Sequence, residues 1–107
     1  MYRAEASPDM LQHDHLLAPL QSAIAVELRH VRTQLEALAD TLVSDVHFVA
    51  GYIDQLQAFD LLVQLTEESA ALLDRVASGT PPKAAVEPVR LGIMQNRLVA
   101  ALDAVER

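Results

Sequence analysis

From Leu20 to Ala77 the chain carries no proline and a single glycine, Gly51. A backbone without breakers over that length is free to be helical throughout. The apolar residues agree with that: Leu28, Val31, Leu35, Leu38, Leu42, Val46, Val49, Ile53, Leu56 and Val63 recur mainly in steps of three and four. That is the period of an amphipathic helix, not the alternation of a strand. Aromatics make up 4% of the chain and only 3 residues are glycine. Packing must therefore come from aliphatic side chains, which suits helices on helices better than a sheet. The expected fold class is all-α.

Two layouts fit the central run. One is a single very long helix. The other is a hairpin with a tight turn near Ser44-Asp45, where either residue can cap the second helix. Unbroken phase favours the first and compactness the second; the hairpin is the expected layout. Upstream, Ser7-Pro8-Asp9 reads as a helix start, with Ser as N-cap and Pro at the first helical position. Pro19 should interrupt or kink that first helix. Downstream, Gly79 can take a left-handed C-cap, and Pro81 and Pro82 prevent continuation.

The expected domains are a helical hairpin over residues 1–79, a linker over 80–87 and a C-terminal amphipathic helix over 88–107. Pro88 should sit in the last helix's first turn, with Val89, Ile93, Val99, Leu102 and Val105 as its apolar contacts. So small a chain cannot cover that much apolar surface alone. Self-association into a dimeric four-helix bundle is expected.

The net charge is -7 over 107 residues. Phosphate backbones and anionic lipid surfaces repel such a chain, so nucleic acid and membrane surface are poor partners for it. There is no cysteine, which removes disulfide and thiolate chemistry. The start, Met1-Tyr2-Arg3-Ala4-Glu5, is not succeeded by the apolar stretch of a signal peptide. No apolar run approaches the roughly 18 residues of a membrane span. A soluble cytoplasmic protein is the expectation.

Chemistry is concentrated in one place. Asp60 and Gln64 are four apart in Gln55-Leu56-Gln57-Ala58-Phe59-Asp60-Leu61-Leu62-Val63-Gln64, so they project from one helix face. On a helical wheel Leu56, Phe59, Leu62, Val63, Leu65, Leu72, Leu73 and Val76 cover most of the circumference. A polar strip remains: Gln57, Asp60, Gln64, Glu67 and Glu68. The plain reading of such a strip is a solvated face. The sharper reading is a carboxylate and a carboxamide on a rigid support, able to hold a cationic group and orient a water at once.

The segment Leu56 to Gln64, continued by an amphipathic helix, resembles the active-site helix of the CheZ-type chemotaxis phosphatases. It is closer still to the small CheZ-like proteins called CheT, from alphaproteobacterial chemotaxis operons. The family's motif is Asp-x-x-x-Gln on a long helix of a dimeric four-helix bundle. The resemblance implies a hydrolase that removes the phosphoryl group from the aspartyl-phosphate of a response-regulator receiver domain. Gln64 would orient the attacking water and Asp60 would pair with the receiver's lysine. Gln57, Glu67 and Glu68 would rim the contact. The resemblance implies no cofactor of the chain's own, because the receiver supplies Mg²⁺ and lysine. Where many CheZ sequences have Thr-Gly before the glutamine, this chain has Leu62-Val63, and it lacks the long linker before the last helix.

Other histidine and acid patterns point elsewhere. His47-Phe48-Val49-Ala50-Gly51 resembles the His-x-Leu-Lys-Gly motif of histidine phosphotransfer domains, with Ala50 where the lysine stands. His47 is the alternative phosphoacceptor. On an unbroken helix it would project toward Leu61, Leu65 and Leu72 as a partly buried packing residue. Glu27-Leu28-Arg29-His30 matches half of a di-iron bundle motif, but the second half is missing. His13-Asp14-His15 has no clear fourth ligand, so no metal site is expected. Arg29, Arg32, Arg75, Arg90 and Arg97 are spread out and read as surface pairing. A non-catalytic helical adaptor or chaperone is the third reading.

Overall fold

A computed structural model describes the backbone of residues 8–106 and the side chains of residues 15–106. Five helices run in order: α1 Pro8–Val43, α2 Val46–Gly51, α3 Ile53–Ala77, α4 Pro82–Val86 and α5 Gly92–Glu106. No strand occurs among the described residues, so the all-α expectation holds. The Ser7 cap and the side chains of His13 and Asp14 lie outside the described residues.

The central run is a hairpin. α1 and α3 pack antiparallel along their length, joined across the interface by Arg29–Asp74 at 2.7 Å, Arg29–Glu67 at 3.3 Å and an Arg32–Glu67 pair. The turn falls at Ser44-Asp45. Asp45 is the residue that caps: its carboxylate accepts from the backbone N–H of His47 at 2.9 Å and of Phe48 at 3.1 Å. The Ser44 hydroxyl instead donates back to the Thr41 carbonyl at 2.7 Å. The second arm breaks once more, at Tyr52, whose φ of -135° and ψ of 39° leave the helical region. Gly51, the weakest helix former of this run, precedes the break, and β-branched Ile53 comes after it. Phe48 and Tyr52 stack at 4.8 Å across the joint.

Pro19 does not end α1; the helix runs through it. Proline there removes one backbone hydrogen bond, so the His15 carbonyl is left to solvent, and both residues are exposed.

The C-terminal part departs from expectation. Residues 80–87, the expected linker, are partly helical. They contain α4, whose Ala85 and Val86 are buried. Arg75 Nε donates to the Ala85 carbonyl at 2.8 Å, which ties α4 to the end of α3. Gly79, at φ 104°, makes the left-handed turn that lets the chain reverse. Pro88 lies in the turn after α4, not in the last helix, which starts at Gly92. Of its expected apolar contacts, Val89 is buried and Leu102 half-buried, whereas Ile93, Val99 and Val105 are exposed. Met94 takes the buried place instead. α5 packs on α4: Gln95 Nε2 donates to the Glu87 carbonyl at 2.8 Å, and Lys83 pairs with Glu106. The Glu106 hydrogen bond holds the Lys83 ammonium above its usual range.

The hairpin is a single layer of two helices. The chain's extents are 73 × 28 × 17 Å and its radius of gyration is 18.9 Å, against about 13 Å for a compact chain of roughly this length. Among the described residues the buried apolar set is Ala25, Ala70, Ala85, Val86, Val89 and Met94. Of the apolar set that the wheel gives α3, Leu62 is exposed and the other seven are half-buried, so one chain covers that set only in part.

Ala70, on α3 where it packs against α1, is fully buried. Replacing Ala70 with Leu adds methylenes where no space exists. It should lower the unfolding free energy by about 1–3 kcal/mol in a urea titration. An unchanged midpoint would show an interface loose enough to absorb the side chain.

Candidate functional site

Asp60 and Gln64 stand on the exposed face of α3, about two turns after its start. The two side chains meet: Gln64 Nε2 donates to Asp60 Oδ2 at 2.9 Å. The carboxamide nitrogen is engaged by the carboxylate, and its oxygen makes no hydrogen bond among the described residues. The second oxygen of Asp60 makes no hydrogen bond among the described residues. The pair that the spacing placed on one face is thus a formed unit.

Glu68 continues the row one turn further on. Its expected place on the open strip is corrected by its burial: Glu68 is 7% exposed. Its carboxylate accepts from the Arg90 backbone N–H at 3.1 Å and from Arg90 Nε at 3.2 Å. A buried carboxylate needs such partners, and the turn between α4 and α5 folds over α3 to provide them. Along one edge of α3 the chain therefore presents a carboxylate, an amide and a carboxylate-held guanidinium. On the helix itself Asp60, Gln64 and Glu68 follow one another at four-residue steps, about 6 Å along the axis.

Glu67 is half-buried and turned to α1. It bonds Arg29 at 3.3 Å and also Arg32. Arg32 is further approached by Glu36 at 3.7 Å. Asp74 completes the network through Arg29. The hydrogen bond from Arg29 to Asp74, then that to Glu67, raises the Arg29 guanidinium above its usual range, so it stays charged throughout the working pH range. Of the polar strip only Gln57, Asp60 and Gln64 are exposed.

Two clefts flank the row on the α1 side. One, of about 480 Å³, is bounded by Arg32, Gln64, Glu67, Glu68 and Arg90. The other, of about 450 Å³, is bounded by Asp60, Asp40, Phe59 and Leu56. The amide and the carboxylate thus line different clefts, with Val63 between them.

His47 is exposed on α2, because the turn at Asp45 and the break at Tyr52 take it off the α3 helical path. The expected direction toward Leu61, Leu65 and Leu72 required an unbroken helix and does not apply. No group of three or more potential metal ligands occurs among the described residues. No helix among them is long and apolar enough to cross a membrane.

The arginines do more than pair at the surface. Arg29 and Arg32 lie three apart on α1, and Glu67 and Asp74 seven apart on α3, so each pair shares a face. That complementarity is a sign of the hairpin register that the sequence carries. Nothing local announces Arg90, whose role depends on a turn beyond α4.

No family model matches the chain, and no curated protein and no solved structure matches it.

Proposed function

We propose that the chain is a CheZ-like phosphatase that removes the phosphoryl group from the aspartyl-phosphate of a response-regulator receiver domain. The observation that carries this reading is the 2.9 Å bond from Gln64 Nε2 to Asp60 Oδ2 on an exposed helix face. Hydrolysis of an acyl phosphate needs an in-line water and stabilised charge. The receiver brings Mg²⁺ and a lysine for the charge. A partner need add a fixed acceptor for the water, and Gln64 Oε1 is such an acceptor. Asp60 would meet the receiver's lysine with its free oxygen, so one bond sets both positions. Gln57 is free to rim the contact. Glu67 and Glu68 are already engaged within the chain and would act by shaping the surface.

The proposed assembly is a homodimer in which two hairpins form a four-helix bundle. Its support is the single 17 Å layer with exposed Leu20, Ile24, Val31 and Leu38 on α1. A receiver substrate in chemotaxis-type signalling implies a cytoplasmic site of action.

Exposed His47, with open space around Gly51 one turn later, favours a second reading: a phosphotransfer module. The two readings separate in one experiment. A phosphorylated chemotaxis receiver is mixed with the chain, and both phosphate release and label on the chain are measured. Faster release with no label on the chain supports the phosphatase. Label that disappears with His47→Gln supports phosphotransfer. Neither effect leaves a helical adaptor.

Asp60→Asn is the informative companion variant. It keeps the shape and an acceptor for Gln64 but removes the charge facing the receiver's lysine. It should lower kcat/KM about tenfold or more, with part of the loss in binding. Unchanged kcat/KM would remove Asp60 from the site.

A further inference from the structure

The row on α3 has a third member that the proposed mechanism does not use. We propose that Arg90 is a catalytic residue of the same site, supplying its guanidinium to the transferring phosphoryl group. This rests on the phosphatase reading above.

Three observations converge. Arg90 and Gln64 line one cleft. Glu68 sits one turn beyond Gln64 and holds Arg90 by its backbone N–H and its Nε, at 3.1 and 3.2 Å. The rest of the guanidinium is open: the side chain is 84% exposed, and its Nη atoms make no hydrogen bond among the described residues. The arginine is thus anchored along one edge and free along the other. The other guanidiniums nearby are tied into the fold, Arg32 by Glu67 and Glu36, Arg29 by Glu67 and Asp74, and Arg75 by the Ala85 carbonyl, and the nitrogens of Arg32 and Arg75 left without a hydrogen bond, Nε and Nη2, are buried.

A guanidinium held by a carboxylate at Nε presents two parallel N–H groups, which match two phosphoryl oxygens. With Gln64 and Arg90 lining one cleft, the water and the equatorial oxygens are met from the same side. In the step, the water oxygen forms a bond to phosphorus and the bond from phosphorus to the aspartyl oxygen breaks. The electron pair returns to the receiver carboxylate, and both water protons leave on the phosphate as dihydrogen phosphate. Charge shifts onto the equatorial oxygens during this step, where a guanidinium stabilises it.

The acids in the cleft do not oppose this. Glu67 and Glu68 are each paired with arginine, and Glu36 lies beside Arg32. The Glu68–Arg90 pair also explains why a carboxylate is buried on a helix edge otherwise open to solvent.

The test is turnover of a phosphorylated receiver by the full chain as wild type, Arg90→Ala and Arg90→Lys. Arg90→Ala should lower kcat about 100-fold, the low end of the range for loss of one charge-stabilising donor. Its affinity for the receiver loaded with trifluoroberyllate should stay within about twofold, and kcat is read well below its melting point, which should fall because buried Glu68 keeps only the Arg90 backbone N–H. Added ethylguanidinium should restore a large part of kcat in Arg90→Ala and none in Gln64→Ala. Arg90→Lys, which keeps a cation for Glu68 but has no fork, should remain about tenfold down. Wild-type turnover in Arg90→Ala would overturn the assignment and leave the phosphatase reading standing. So would a loss that tracks the melting point or the affinity and is not rescued, since Arg90 would then be structural. An inactive wild type would fail both together.

Discussion

Gln64→Ala is expected to return receiver dephosphorylation to the receiver's own rate, a loss of at least about a hundredfold, which corresponds to roughly 2.7 kcal/mol of barrier. Binding should change little. Alanine is the best helix former, and Gln64 is exposed, so α3 loses no packing. Stability should move by less than about 0.5 kcal/mol. The loss is the Gln64 acceptor oxygen, which the bond from Nε2 to Asp60 leaves unengaged. An interaction made only with the attacking water affects kcat and not ground-state binding. Gln64→Glu is a stricter control. It preserves shape and acceptor oxygens, but places a second carboxylate one turn from Asp60 and beside a dianionic phosphoryl group. Like charges at this spacing repel, so the glutamate should be no more active than the alanine. Stopped phosphate release, read beside the receiver's unaided decay, decides the matter. Full activity in Gln64→Ala would remove the water-orienting mechanism.

Legibility in the residues alone divides by the range of the interactions involved. The all-α class and the turn at Ser44-Asp45 were legible because helical period, capping and breakers act over a few residues. The pairing of Asp60 with Gln64 was legible for the same reason: one turn of helix brings them together. The break at Tyr52 was less so. Gly51 weakens the helix there, but the apolar phase runs on across it, and phase alone cannot say whether a weak point opens. The fate of Glu68 was not legible at all. On a wheel it belongs with Gln64, and its burial depends on Arg90, 22 residues away, folding back after α4. The same long-range closure buries Ala85 and Val86 within residues 80–87, where the prolines and a glycine suggested only a linker. Met94 took the place expected of Ile93 because α5 starts at Gly92, and its phase is set by α4.

The second large effect concerns the face that one chain leaves uncovered. On α1 the exposed residues Leu17, Leu20, Ile24, Val31 and Leu38 are separated by steps of three, four, seven and seven, which is the seam of a helical bundle. No described side chain before Ala25 is buried, so the first part of α1 has little beside it in the monomer. A helix in water at this length is marginal without a packing partner. Covering one such Leu or Ile is worth about 1.5–3 kcal/mol, and two-fold symmetry counts every residue twice. A second copy laid along this seam would turn the single layer into a four-helix bundle. Leu20→Asp combined with Ile24→Asp would place four carboxylates in that seam, unpaired and partly desolvated. The dimer should weaken at least about a thousandfold, roughly 4 kcal/mol. In sedimentation equilibrium the wild type should show twice the chain mass and the variant the single mass. Helix content should fall in the variant, because the start of α1 would lose its cover while the Arg29 and Arg32 pairs keep the hairpin closed. A wild type that sediments as one chain would instead assign the seam to a different partner, and the bundle with it.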